Sequence, residues 1–166
     1  MLESLLLFAG LFVVHEFGHY TAGAVAGIPA DARRLVVLAV PPHVALADGD
    51  EWVSPFRNER FREAYGRFDP ERRHAVLFTA GGLLAQTAVA VPVGVAVAAV
   101  APDLGQAVVR VSLWFVVGLA VVDVGLTASR GAPFSDVTHL WRLDPTTAVG
   151  VLALVVGAHA AGLLLA

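Results

Sequence analysis

Four long apolar stretches divide the chain. Residues 2–28 hold only Glu3 and the cluster His15, Glu16 and His19 as ionisable groups, and residues 75–100 hold no charged side chain. Residues 106–128 are interrupted by Arg110 near their start and by Asp123 deep in their second half, and residues 146–166 carry only His159. At ~1.5 Å of helical rise per residue, each is long enough to cross a hydrocarbon core of ~30 Å. The pattern predicts an all-α integral membrane protein, a single domain over residues 1–166 with about four transmembrane helices. Asp69-Pro70-Glu71 reads as the signpost of the second span: an N-cap candidate, a proline at the first helical position and an acidic first turn. The first stretch lacks a basic leader, and cleavage at the signal-like Ala22-Gly23-Ala24 would discard the ionisable cluster, so it is expected to remain as a span.

Between the first and second spans, residues 29–74 change character. Residues 33–40 are rich in β-branched residues and leucine and close on Pro41-Pro42. Residues 43–47 can return antiparallel before the Asp48-Gly49 turn, which predicts a β-hairpin. Phe56, Phe61, Tyr65 and Phe68, interleaved with Arg57, Arg60, Arg62 and Arg67, predict an amphipathic helix lying on an anionic membrane surface. No internal repeat is evident.

Composition strengthens the membrane reading. Of 166 residues 57% are hydrophobic and only 15% charged, with a mean hydropathy of +0.73, too apolar for an ordinary soluble domain. Without cysteine, a disulfide framework or a thiolate metal site is excluded, so imidazole and carboxylate must hold any metal. The net charge of −3 gives no sign of a nucleic-acid surface. All eleven basic residues are arginine, and eight of them lie within residues 29–74. Residues 101–105 have none, whereas residues 129–145 hold Arg130 and Arg142. The positive-inside rule then places the chain in the cell membrane with its N-terminus outside and residues 29–74 in the cytoplasm, leaving His15 and His19 in the inner half of the first span. Arg110 is the exception and is expected to snorkel to the outer interface.

His15-Glu16-Phe17-Gly18-His19 puts three ionisable groups into a membrane segment. On a helix the two histidines fall about 40° apart around the axis, with Glu16 roughly 60° beyond His19. This is the HExxH spacing, in which two neutral imidazoles bind Zn²⁺ and the glutamate takes a proton from the attacking water. A catalytic zinc needs a third protein ligand. Asp123, Asp136, His139 and His159 are the candidates, while Glu3, His43 and Asp103 are badly placed in depth. Asp123 sits in a continuous helical run. Asp136 follows the helix-breaking Gly131-Ala132-Pro133, and broken backbone at membrane depth is tolerated where it lines a protein cavity.

The stretch from Val13-Val14-His15-Glu16-Phe17-Gly18-His19-Tyr20 to Gly27-Ile28-Pro29 resembles the site-2-protease family of intramembrane zinc metalloproteases. Ala80-Gly81-Gly82-Leu83-Leu84-Ala85-Gln86 is similar to that family's small-residue motif, with Gln86 where the family has asparagine. Pro133-Phe134-Ser135-Asp136-Val137 is similar to its proline-containing approach to Leu-Asp-Gly. The resemblance implies that Asp136 completes a zinc site with His15 and His19, that Glu16 is the general base, and that the hairpin after the first span is re-entrant. It also implies cleavage of membrane-protein substrates in or near their transmembrane segments. No PDZ or CBS-type accessory domain is expected within these 166 residues.

Plainer roles stand beside these. Asp136 suits a helix N-cap before Val137, Asp123 a partner for Gln86 or Arg110, and His139 and His159 an interfacial residue and an interhelical hydrogen-bonder. Gly81, Gly82 and Ala85 suit close helix packing. The alternative function is a membrane protein that binds zinc structurally or handles metal without proteolysis, but a structural site has no use for a base such as Glu16 between its ligands.

Overall fold

A computed structural model describes residues 2–166. Its elements are α1 (Leu2–Val25), a 3₁₀ turn (Ala30–Ala32), strands β1 (Arg33–Val36), β2 (His43–Asp48) and β3 (Glu51–Val53), and helices α2 (Asn58–Gly66), α3 (Ala75–Ala98), α4 (Pro102–Arg130), α5 (Asp136–Leu143) and α6 (Pro145–Leu165). Helices α1, α3, α4 and α6 are each long and apolar enough to cross a membrane. Their outward residues, among them Leu6, Val121, Leu154 and Leu164, stay exposed, as a lipid-facing surface requires.

Lipid tails are as apolar as leucine, so close packing rather than water exclusion holds such helices together. Helix α3 is the hub, packed on α1, α4, α5 and α6. Where it crosses α1, Gly18 meets the Gly81 backbone, and a Cβ on Gly81 would lie 2.8 Å from the Gly18 carbonyl oxygen. Only glycine permits that approach. Phe8, Phe12 and Phe115 fill the α1–α4 contact, with ring centroids 4.6–5.3 Å apart.

Residues 29–74 form a cap at one end of this bundle. The sheet is antiparallel in the order β1-β2-β3, with Arg33 opposite Leu46 and Leu46 opposite Val53. The expected hairpin is therefore present with a further strand, because the Asp48-Gly49 turn leads directly into Glu51–Val53; Gly49 takes the left-handed φ of 62° that the turn needs. Val44 and Leu46 pack with Ala22, Ala26 and Ile28 at the foot of α1, with Tyr65 of α2 and with Phe78 of α3.

Helix α2 departs from the expected surface-lying helix. Phe61 and Tyr65 turn towards this core, and Arg60 and Arg67 pair with Asp48 of β2 at 2.8 and 2.7 Å. Arg60 also reaches Glu51 at 2.8 Å. The acidic partners in the sheet, invisible in the local pattern of α2, claim two of the arginines that sequence assigns to lipid.

Helix α3 starts at Ala75, where the apolar run predicts, but its N-cap is His74 rather than Asp69, and Pro70 and Glu71 lie in the turn before it; Asp69 acts from that turn. Its carboxylate accepts from the amides of Arg73 and His74 at 3.0 and 2.8 Å and from the Tyr65 hydroxyl at 2.8 Å. Burial opposes charge on Asp69, but these donors win and hold its carboxyl below the usual value. Helix α6 is capped by Asp144, whose side chain accepts from the Thr146 amide at 2.9 Å, and begins with Pro145 at the first helical position.

Candidate metal centre

The HExxH segment lies on α1 within the bundle, with His15, Glu16 and His19 all buried. The residue that meets them comes from the far end of the chain. After α4 ends at Gly131, in the left-handed region at φ 70°, the chain turns through Pro133 and re-enters as α5. Asp136, the first residue of α5, places Oδ2 2.9 Å from His15 Nε2 and 3.2 Å from His19 Nε2, and the two nitrogens lie 3.3 Å apart. Of the four candidates for a third ligand, Asp136 is the one that closes this triangle.

Hydrogen-bond accounting shows what the triangle lacks. His19 Nδ1 lies 2.8 Å from the Phe78 carbonyl oxygen. A carbonyl can only accept, so Nδ1 carries the ring hydrogen and Nε2 presents a lone pair. His15 Nδ1 faces Gln86 Oε1 at 3.3 Å and is likewise the donor. In these neutral tautomers two imidazole lone pairs and a carboxylate oxygen converge with no hydrogen between them, an arrangement that suits a metal cation. Edges of 2.9–3.3 Å suit zinc, since tetrahedral bonds of ~2.0–2.1 Å give ligand–ligand distances of about 3.3 Å.

The space is kept open by Gly82. A Cβ there would lie 2.5 Å from Nε2 of both histidines. This glycine, which sequence reads as a helix-packing residue, thus has a second reason to lack a side chain.

Asp136 is the first residue of α5, where the helix N-terminus favours its negative form.

Asp123, buried on α4, does something the sequence does not announce. Oδ1 accepts from the Ser135 amide at 2.8 Å and the Thr138 hydroxyl at 2.6 Å, and Oδ2 accepts from the Thr138 amide at 2.8 Å. Ser135 is the N-cap residue of α5 and Thr138 its third residue. These are the two amides that a capping box satisfies from within its own helix. Here a carboxylate on another helix takes both, fixing the turn that carries Asp136. Neither Gln86 nor Arg110 partners Asp123: Gln86 faces His15 and Ser112, and Arg110 bonds Gln106 on its own helix. Asn58 at the start of α2 adds a second tether, donating to the Pro133 carbonyl at 2.9 Å.

The triangle opens onto a cleft of about 240 Å³. Glu16 stands on its wall beside the three converging groups, and Phe12, Phe56, Phe78, Phe134 and Leu119 supply an apolar lining. Pro41, Pro42 and His43, at the turn into β2, form part of the same wall, so the cap contributes to the site. His139 lines the cleft too, its Nδ1 donating to the Ser135 carbonyl at 2.9 Å. His159 is enclosed between α4 and α6, 2.8 Å from Ser112 Oγ, which is the interhelical role expected of it.

Compared with protein-family models, with curated proteins and with solved structures, the chain finds no match in any of the three.

Proposed function

We propose that this protein is an intramembrane zinc metalloendopeptidase, of the kind that the site-2-protease resemblance implies, acting on membrane-protein substrates in or near their transmembrane segments. The observation that carries the reading is the convergence of three lone pairs, from His15, His19 and Asp136, beside the Glu16 carboxylate on the wall of one open cleft. A site that served only to hold the fold would be closed and would leave Glu16 without a task.

His15, His19 and Asp136 would hold the zinc ion. A zinc ion held there would supply Lewis acidity to the scissile carbonyl and to the attacking water. Glu16 accepts the proton of the attacking water as oxygen bonds to the carbonyl carbon. It then gives that proton to the amide nitrogen as the C–N bond breaks, and the remaining proton of the new carboxyl passes to the released amine, leaving a carboxylate and an ammonium group. Asp136 stays ionised throughout. The aromatic lining keeps bulk water from the reacting groups and receives apolar substrate side chains.

A transmembrane substrate must unwind before its carbonyl can be attacked, because helical carbonyls are hydrogen-bonded and shielded. The outer strands β1 and β3 are the sheet's edges, and an unwound segment can pair with such an edge. The arginine distribution supports a cell-membrane location with the N-terminus outside and residues 29–74 in the cytoplasm, which puts the cleft near the inner leaflet.

Glu16→Gln separates this reading from non-proteolytic zinc binding. The variant, purified and reconstituted with a transmembrane substrate, is expected to keep its zinc and to lose cleavage by at least about 100-fold. Cleavage at the wild-type rate would end the protease reading.

A further inference from the structure

The two histidines of the triangle are held by different kinds of partner. His19 donates to a backbone carbonyl, which cannot turn round. His15 donates to the side-chain amide of Gln86, which can. If that amide flipped, its NH₂ group would face His15 Nδ1, and the ring hydrogen would move to Nε2, where Asp136 Oδ2 waits 2.9 Å away. That tautomer forms a hydrogen bond and blocks the lone pair a metal needs.

Two buried residues on other helices oppose the flip. Gln86 Nε2 lies 3.2 Å from the carbonyl of Ser112 and 3.0 Å from its hydroxyl. The Ser112 hydroxyl in turn lies 2.8 Å from His159 Nε2. The Ser112 carbonyl can only accept and favours the amide nitrogen on that side, and the direction of the hydroxyl's hydrogen follows from the far end. The Val155 carbonyl can only accept, so His159 Nδ1, 2.7 Å away, carries the ring hydrogen and Nε2 is an acceptor. Ser112 therefore donates to His159 and is left to accept from Gln86. The amide nitrogen turns to α4, and Oε1 to His15.

Gln86, Ser112 and His159 are all fully buried. Burying three polar side chains between apolar helices is costly unless each is paired, and valine or leucine would fill the space without that demand. Packing alone gives no reason for them.

We propose that Ser112 and His159 are positioning residues of the metal centre: through Gln86 they lock His15 in the tautomer whose Nε2 can bind a cation. The inference rests on reading the triangle as a metal site, and it ties α6, which lends no group to the triangle, to the chemistry on α1.

The test uses the full-length protein in micelles, labelled with ¹⁵N-histidine, as wild type, Ser112→Ala, His159→Phe and His159→Gln. In chelator-treated wild type, the His15 signals are expected to report hydrogen on Nδ1 and none on Nε2. Ser112→Ala and His159→Phe should move His15 towards the Nε2–H form while the His19 signals stay put. The same two variants should bind Zn²⁺ about 10-fold or more weakly in competition with a chromophoric chelator. Glutamine at 159 can still accept from Ser112 and should restore both readouts. The unmoved His19 signals mark a folded site, and Ser112→Ala carries the test if His159→Phe does not fold. A His15 tautomer and zinc affinity unchanged in folded Ser112→Ala would overturn the relay. Failure of wild type to bind Zn²⁺ would instead sink the metal reading, with the tautomer shifts still deciding the relay.

Discussion

Asp123, buried inside α4, and Asp136, partly buried in the first turn of α5, are two carboxylates within one small region, and both stand as candidate ligands in the sequence. Their surroundings divide them. Asp123 is filled by donors, with the amides of Ser135 and Thr138 and the Thr138 hydroxyl on its two oxygens. Asp136 faces two imidazole nitrogens that, in the neutral tautomers their other contacts favour, have no hydrogen to give. A carboxylate whose lone pairs are spent on N–H and O–H groups is a brace, and one aimed at other lone pairs is a ligand in waiting. The difference that decides their roles lies in the partners.

The comparison can be broken at several points. The largest expected effect is at Asp136: Asp136→Ala should lower zinc affinity by about 100-fold or more, read by zinc content after dialysis against a chelator. Zinc retained in full would remove Asp136 from the ligand set and merge the two carboxylates into one class. Asp123→Ala should act differently. It leaves the amides of Ser135 and Thr138 without partners, at a cost of ~1–3 kcal/mol in stability, with faster amide exchange confined to the start of α5. Zinc affinity should fall less than in Asp136→Ala, because the ligand survives on a looser turn. Equal zinc loss with no change in exchange would contradict the brace.

A smaller effect is expected at Asp69, the brace of the turn before α3. Its carboxyl is held below the usual value in the folded protein, so its stabilisation is present above the unfolded value of about 3.9 and is lost as pH falls through the folded one. Asp69→Asn should flatten the acid limb of the stability–pH curve measured by thermal unfolding in micelles, and leave zinc content at neutral pH unchanged. An acid limb identical to wild type would show that the Arg73 and His74 amides do not hold Asp69 ionised.

Much of this architecture is legible in the sequence because lipid imposes simple rules. Charge-free runs of spanning length mark α3 and α6 to within a few residues, and the HExxH spacing alone puts His15, Glu16 and His19 on neighbouring faces of α1. What escapes the sequence is whatever depends on a partner from another element. The arginines of α2 read as lipid-facing until Asp48 and Glu51 arrive from the sheet. Gly82 reads as packing until two imidazoles lie against it. The cap of α5 is supplied by Asp123 from the preceding helix, so no local Ser/Thr-x-x-Glu pattern reveals it. Strand β3 is only three residues long, too short for its alternation to stand out from the turn before it.

The most direct test of the account is X-ray absorption at the zinc edge of the purified wild-type protein. The account predicts one zinc per chain with two imidazole nitrogens and carboxylate oxygen at about 2.0–2.2 Å, and loss of the two-imidazole signature in His15→Ala. A wild-type protein without stoichiometric zinc, or a spectrum left unchanged by His15→Ala, would contradict it.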